Sequence, residues 1–230
     1  MTTRDQSSED SAPTDTSRAI ARSLLDMGAV SLRPEAPFTL TSGKPSPVYV
    51  DCRRIISFSA ERGRIIDAAV AQIDAHIGRS AIDAVAGGET AGIPYAAWLA
   101  DRLDCPMLYV RKKPKGFGRN AQIEGVVSAG ARVLLAEDMT TDGGSKMVFI
   151  DALRQAGAVV SDCWVTFRYG PAANARLAAT GVRLLSLASW ADIIDVARED
   201  GRITPDLLSE VESFLADPAR WQAHHMEAGT

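Results

Sequence analysis

Through the middle of the chain, short apolar runs alternate with longer amphipathic stretches. The runs are 82–86 (IDAVA), 107–110 (MLYV), 132–136 (RVLLA) and 158–165 (AVVSDCWV), each of a length that suits a buried strand. Helices fit between them at 92–103 and 144–156. Upstream, Ile20, Leu24, Leu25 and Met27 recur at helical spacing from Thr16 until Gly28 stops the pattern. Residues 47–52 (PVYVDC) alternate like a strand, and Ile65, Ile66, Ala69, Val70 and Ile73 predict a helix over 60–77. Strands alternating with helices predict an α/β fold with a central, mainly parallel sheet and right-handed crossovers. Ligands in such folds sit outside the carboxyl ends of the strands, which points to the loops that begin at Gly87, Arg111, Glu137 and Arg168.

Composition narrows the picture. The 230 residues are 46% apolar, enough for a real core. Residues 1–15 hold almost nothing to bury and are expected to be a disordered acidic tail, leaving 16–230 as a single domain. The formal net charge is −4, and the tail, with Arg4 against Asp5, Glu9, Asp10 and Asp15, carries −3 of it. A nearly neutral body argues against a nucleic-acid partner. Cys52, Cys105 and Cys163 are an odd set at unpatterned spacings, which argues against a disulfide framework or a zinc site. No apolar run approaches the roughly 18 residues of a membrane span. A cytoplasmic protein without a membrane partner is expected.

The richest segment is VLLAEDMTTDGGSK, Val133–Lys146. An apolar strand ends in two acids, and a Thr/Gly loop then opens a helix. Backbone N–H groups at such a helix start converge on an anion, and the macrodipole favours negative charge there. Gly143 and Gly144 permit close backbone approach, and Thr141 and Ser145 add hydroxyl donors. Glu137 and Asp138 suit the vicinal hydroxyls of a ribose. The string lacks the Lys of a Walker loop and the GxGxxG of a dinucleotide site, and a plain capped turn explains less of it. Asp142 stands inside the cradle, and its carboxylate is expected to turn away from a bound phosphate.

A second segment, RKKPKGFGR at Arg111–Arg119, packs five bases into nine residues with no acid. Pro114, Gly116 and Gly118 disfavour a helix there. Because it follows a strand end on the ligand side, a mobile cationic lid suits it better than a solvated surface loop.

The acid pair with its TTxGGS loop resembles the phosphoribosyltransferase signature, and three further segments resemble the orotate phosphoribosyltransferase family. These are FTLTSGKPSPVYVD at Phe38–Asp51, the lid with its extension to Gly125, and VTFRYG at Val165–Gly170. Purine phosphoribosyltransferases do not combine all three. The resemblance implies the type I phosphoribosyltransferase fold with a small N-terminal hood, and transfer of phosphoribosyl from phosphoribosyl pyrophosphate to orotate in UMP synthesis. It implies Mg²⁺ held mainly by substrate and water, and a homodimer with shared active sites. By position, Arg111, Lys112 and Lys115 correspond to pyrophosphate-binding lid residues. Glu137, Asp138, Met139, Thr140, Thr141, Asp142, Gly143, Gly144 and Ser145 correspond to the phosphoribosyl loop, with Lys115 and Asp138 as the catalytic pair. Thr141 and Arg168 correspond to orotate contacts, and Tyr49, with Val50 beside it, to the aromatics that flank the base.

Three positions depart from the enterobacterial pattern: Thr41 and Ala91 where lysines are common, and Phe117 in place of a lid histidine. Lys44 and Lys113 lie nearby as possible substitutes. His76, His224 and His225 are expected to be structural or solvated, and the four tryptophans to pack in the core or an interface. Two other classes of function stay open: a phosphoribosyltransferase for uracil or a purine, and a non-enzymatic phosphoribosyl pyrophosphate sensor.

Overall fold

The computed structural model describes residues 14–40, 43–115 and 122–227. Helix α1 (Asp15–Asp26) starts on a capping box in which Thr14 and Ser17 satisfy each other's backbone N–H groups. Thr14 and Asp15 thus belong to the helix and not to the expected tail, whose other residues lie outside the described region. Four short strands follow: β1 (Val30–Leu32), β2 (Phe38–Thr39), β3 (Pro45–Ser46) and β4 (Val48–Val50). They pair antiparallel as β1–β4 and β2–β3 and form the hood. A 3-10 segment, Cys52–Ser57, leads into α2 (Ser59–His76).

The main sheet is built from β5 (Ala84–Gly88), β6 (Met107–Val110), β7 (Ile123–Glu124), β8 (Arg132–Thr140), β9 (Val159–Arg168) and β10 (Arg183–Ser189). Its order is β10-β9-β8-β5-β6-β7, parallel except for the antiparallel edge strand β7. The remaining helices are α3 (Gly92–Leu103), α4 (Gly144–Gln155), α5 (Ala172–Ala178), α6 (Trp190–Glu199), α7 (Pro205–Ala216) and α8 (Pro218–Glu227). Side chains alternate across each strand. Leu134, Ala136 and Trp164 face a core shared with α1, α2, α3 and α6, whereas Val133, Leu135 and Cys163 face a second core built with α4 and α5.

The alternating α/β order stands as the periodicity predicts. Two boundaries differ in a way that matters. The strand expected to end at Ala136 runs on through Thr140, and the next runs to Arg168, because the two continue to pair in register at Glu137↔Val165, Met139↔Phe167 and Thr140↔Arg168. Ladder hydrogen bonds extend a strand beyond its apolar run. The chain after Gly170, with one more parallel strand and four helices, gave no motif by which to anticipate it.

The C-terminal helices are tied back to the start of the fold. Arg22 of α1 pairs with Asp200 at 2.8 Å, Arg18 with Glu199, and Ser17 Oγ donates to Asp192 of α6 at 2.5 Å.

Candidate active site

Extension of β8 to Thr140 separates the two acids. Adjacent strand residues point to opposite faces, so Glu137 lies on the α4 side and Asp138 on the hood side. Glu137 is only 5% exposed, and its Oε2 accepts a 2.9 Å hydrogen bond from Lys146 Nζ in the first turn of α4, equally buried. Its Oε1 is wedged against Gly88 and Gly92, where a Cβ at either position would collide with it. The carboxylate therefore packs beneath the loop after β5 and away from solvent. Burial pushes its pKa up to about 7, with Lys146 opposing. Asp138, half-buried, also has its pKa raised by burial, with Lys146 and Arg53 among the groups that oppose the shift.

The loop after Thr140 has the geometry of an anion cradle. Gly143 occupies the left-handed region at φ +79°, which favours glycine, and a Cβ there would come within 2.8 Å of Leu177 Cδ1, whose side chain would have to shift. Helix α4 then starts at Gly144 without a side-chain cap from Gly143, the residue before it. Thr141 and Ser145 are exposed beside these amides. Asp142 points one carboxylate oxygen to Arg176 of α5 at 3.2 Å, and the other accepts the Gly144 N–H at 3.2 Å. One amide of the cradle is thus taken by the chain itself, and that hydrogen bond, ahead of Arg176, lowers the Asp142 pKa.

The basic segment leaves the sheet between β6 and β7. Arg111 and Gln122 exchange hydrogen bonds at its base, Arg111 N–H to Gln122 O at 2.8 Å and Gln122 Nε2 to Arg111 O at 2.9 Å. Lys115 and Arg111 both pair with Glu124 of β7, the latter at 3.6 Å. Lys112 donates its backbone N–H to Glu89 Oε2 at 2.9 Å, joining the stem to the loop after β5. Phe117 and Thr41 lie outside the described residues. Ala91 sits at the residue before α3, in the loop after β5.

On the hood side a mainly apolar cavity of about 540 Å³ is lined by Tyr49, Val50, Met139, Thr141, Tyr169 and Gly170, among others. Tyr49 is 40% exposed and packs against Phe38 with ring centres 5.4 Å apart. Arg168 ends β9 directly beside Thr140, one residue before the cavity wall begins. The structure thus gathers Tyr49, Thr141 and Met139 around one cavity and sets Asp138 and Arg168 at the adjoining strand ends. Lys112 and Lys115 remain on their own hairpin, and Glu137 goes beneath the loop after β5.

Several site residues had escaped the sequence. Lys146 shares the apolar face of its helix with Phe149, Ile150 and Leu153, a position where a lone lysine signals a buried partner. Arg53 follows the hood strand, held by Asp51 at 2.6 Å, with its charge felt at Asp138. The wall supplied by α7 and α8 had no motif at all. Among the described residues no cluster of three or more His, Cys, Asp or Glu side chains could hold a metal, and no helix is long and apolar enough to cross a membrane.

A phosphoribosyl-type loop at the carboxyl edge of a parallel sheet, with a cationic hairpin on one side and a hood on the other, defines a phosphoribosyltransferase. Residues 58–195 match the family described as the phosphoribosyl transferase domain. The chain is 52% identical over 207 residues to the orotate phosphoribosyltransferase of Cereibacter sphaeroides, 89% of each chain, and 50% identical over 210 residues to that of Dinoroseobacter shibae, 90% and 93% of the two chains. The crystal structure of orotate phosphoribosyltransferase from Aeropyrum pernix superposes with a TM-score of 0.67 at 34% identity, covering 80% of this chain and 99% of that one. The chain belongs to the orotate phosphoribosyltransferase family.

Proposed function

We propose that the protein transfers the phosphoribosyl group of phosphoribosyl pyrophosphate to N1 of orotate, giving orotidine 5′-phosphate and pyrophosphate in UMP synthesis. The observation that carries this is the adjacency of the Thr141–Ser145 cradle to the cavity walled by Tyr49, within a chain half identical to enzymes of that name. The C1–O bond to pyrophosphate breaks as the N1–C1 bond forms, with inversion at C1. The ribose passes through an oxocarbenium-like state, so catalysis rests on positioning and charge. The cradle amides and the Thr141 and Ser145 hydroxyls hold the 5′-phosphate. Asp138 accepts hydrogen bonds from the ribose hydroxyls. Thr141 and Arg168 orient the orotate, with Tyr49 against its ring. Lys115, with Arg111 and Lys112, neutralises the leaving pyrophosphate once the hairpin closes, which requires Lys115 to exchange Glu124 for the ligand.

Asp138 offers a single half-buried carboxylate, a donor set that suits Mg²⁺ held mostly by substrate oxygens and water. The ion would neutralise pyrophosphate charge. A homodimer in which each hairpin serves the neighbouring site, and a cytoplasmic location, complete the proposal; three free cysteines favour a reducing compartment. The test is the fall in orotate absorbance on adding phosphoribosyl pyrophosphate and Mg²⁺ to the purified protein. Turnover of uracil or a purine base with none of orotate would refute the assignment, as would the absence of any transfer.

A further inference from the structure

Building on the proposed base pocket, we infer that the C-terminal helix pair is a specificity element: α7 and α8 form the outer wall of the pocket and latch the hood over it. Facing Tyr49 and Thr141, the cavity is lined by Phe214, Leu215, Pro218 and Gln222. A planar base entering beside Tyr49 therefore has the hood ring on one side and the α7–α8 wall around it. Apolar walls of this kind sort ligands by shape, because an added or missing group is felt as overlap or void.

The two helices of the wall are packed together and hold the hood. Gln222, only 8% exposed, donates its Nε2–H to the Pro45 carbonyl of β3 at 3.1 Å. Phe214 meets Trp221 edge-on at 5.3 Å, the His225 ring stacks on Trp221 at 3.6 Å, and His225 Nε2 lies 2.9 Å from Glu210. These contacts pin α8 to α7 and leave Leu215, partly buried, facing the cavity. The family match at 58–195 excludes both the hood and α7–α8. The shared core thus supplies the phosphoribosyl cradle, and much of the wall around the base comes from segments outside it.

Steady-state rates of the full chain, with orotate and phosphoribosyl pyrophosphate varied separately, test this. Leu215→Trp, which fills the pocket, is expected to raise the orotate KM by about tenfold or more while the phosphoribosyl pyrophosphate KM stays within about twofold. Gln222→Leu, which unlatches the hood, is expected to raise the orotate KM by about threefold with the same selectivity. Should Leu215→Trp fail to fold, Leu215→Ala supplies the selectivity measurement at the same position. Unchanged orotate KM values, or two KM values rising in parallel, overturn the inference. A wild-type protein that accepts a different base and not orotate overturns the base assignment instead, and the KM ratio for the accepted base then still decides the role of the wall.

Discussion

Lys146 Nζ lies 2.9 Å from Glu137 Oε2, the two side chains meeting in the protein interior from opposite ends of the Thr/Gly loop between β8 and α4. The pair fixes the first turn of α4 to the carboxyl-terminal half of β8, with Oε1 pressed against Gly88 at the end of β5 and Gly92 at the start of α3. Removing Lys146 leaves the Glu137 carboxyl buried without its partner, whereas replacing both leaves an apolar contact. Lys146→Met is expected to cost about 3 kcal/mol or more in urea unfolding, and Glu137→Leu combined with Lys146→Met to cost clearly less than the single change. A double variant as unstable as Lys146→Met would refute the pairing as the source of the loss.

The same burial makes stability depend on pH. The Glu137 carboxyl has its pKa raised from 4.5 to about 7, chiefly by burial. Between those values the folded chain keeps a proton that the unfolded chain has released. The contribution to stability is therefore full below about pH 4.5 and falls as pH rises through 7. Subtracting the Glu137→Gln stability profile from the wild-type profile should leave a curve that declines across this window. A flat or rising difference contradicts it.

Gly143 offers a cleaner test of the cradle. Alanine there must adopt φ near +79° and meet Leu177, so Gly143→Ala should lose about 1–2 kcal/mol in thermal unfolding and raise the phosphoribosyl pyrophosphate KM. Gly144, whose φ is not positive, should tolerate alanine better, since its Cβ would meet only the mobile ends of Asp142 and Arg176 at 3.3–3.5 Å. Equal losses at the two positions would show that backbone conformation is not the cause.

Lys115→Ala is expected to lower kcat by about a hundredfold with little change in either KM, because the cation acts on charge that develops as pyrophosphate departs. Mixing Lys115→Ala with Asp138→Asn should restore activity if the hairpin serves the neighbouring subunit. Confirmed heterodimers without activity would remove the shared-site arrangement.

The alternation of strands and helices from β5 to β9 was legible in the chain, as were the acid pair with its Thr/Gly turn and the clustered bases, since each depends on local spacing. What those residues do was less legible. The acids at 137 and 138 read as one functional pair, yet the ladder with β9 carries β8 past them and turns one toward Lys146 and the other toward the hood. The apolar face that Lys146 shares with Phe149, Ile150 and Leu153 marks it for burial, but its partner is fixed only when α4 lies on the sheet.

By itself, then, the sequence determined the class of fold and the family, because periodicity and contiguous motifs survive without tertiary contacts. Only the tertiary structure decided which acid is buried against Lys146, where the cavity under the hood closes, and that Gln222 reaches Pro45 across 177 residues of chain. Those outcomes come from strand register and from packing between segments distant in sequence, and neither leaves a local pattern to read.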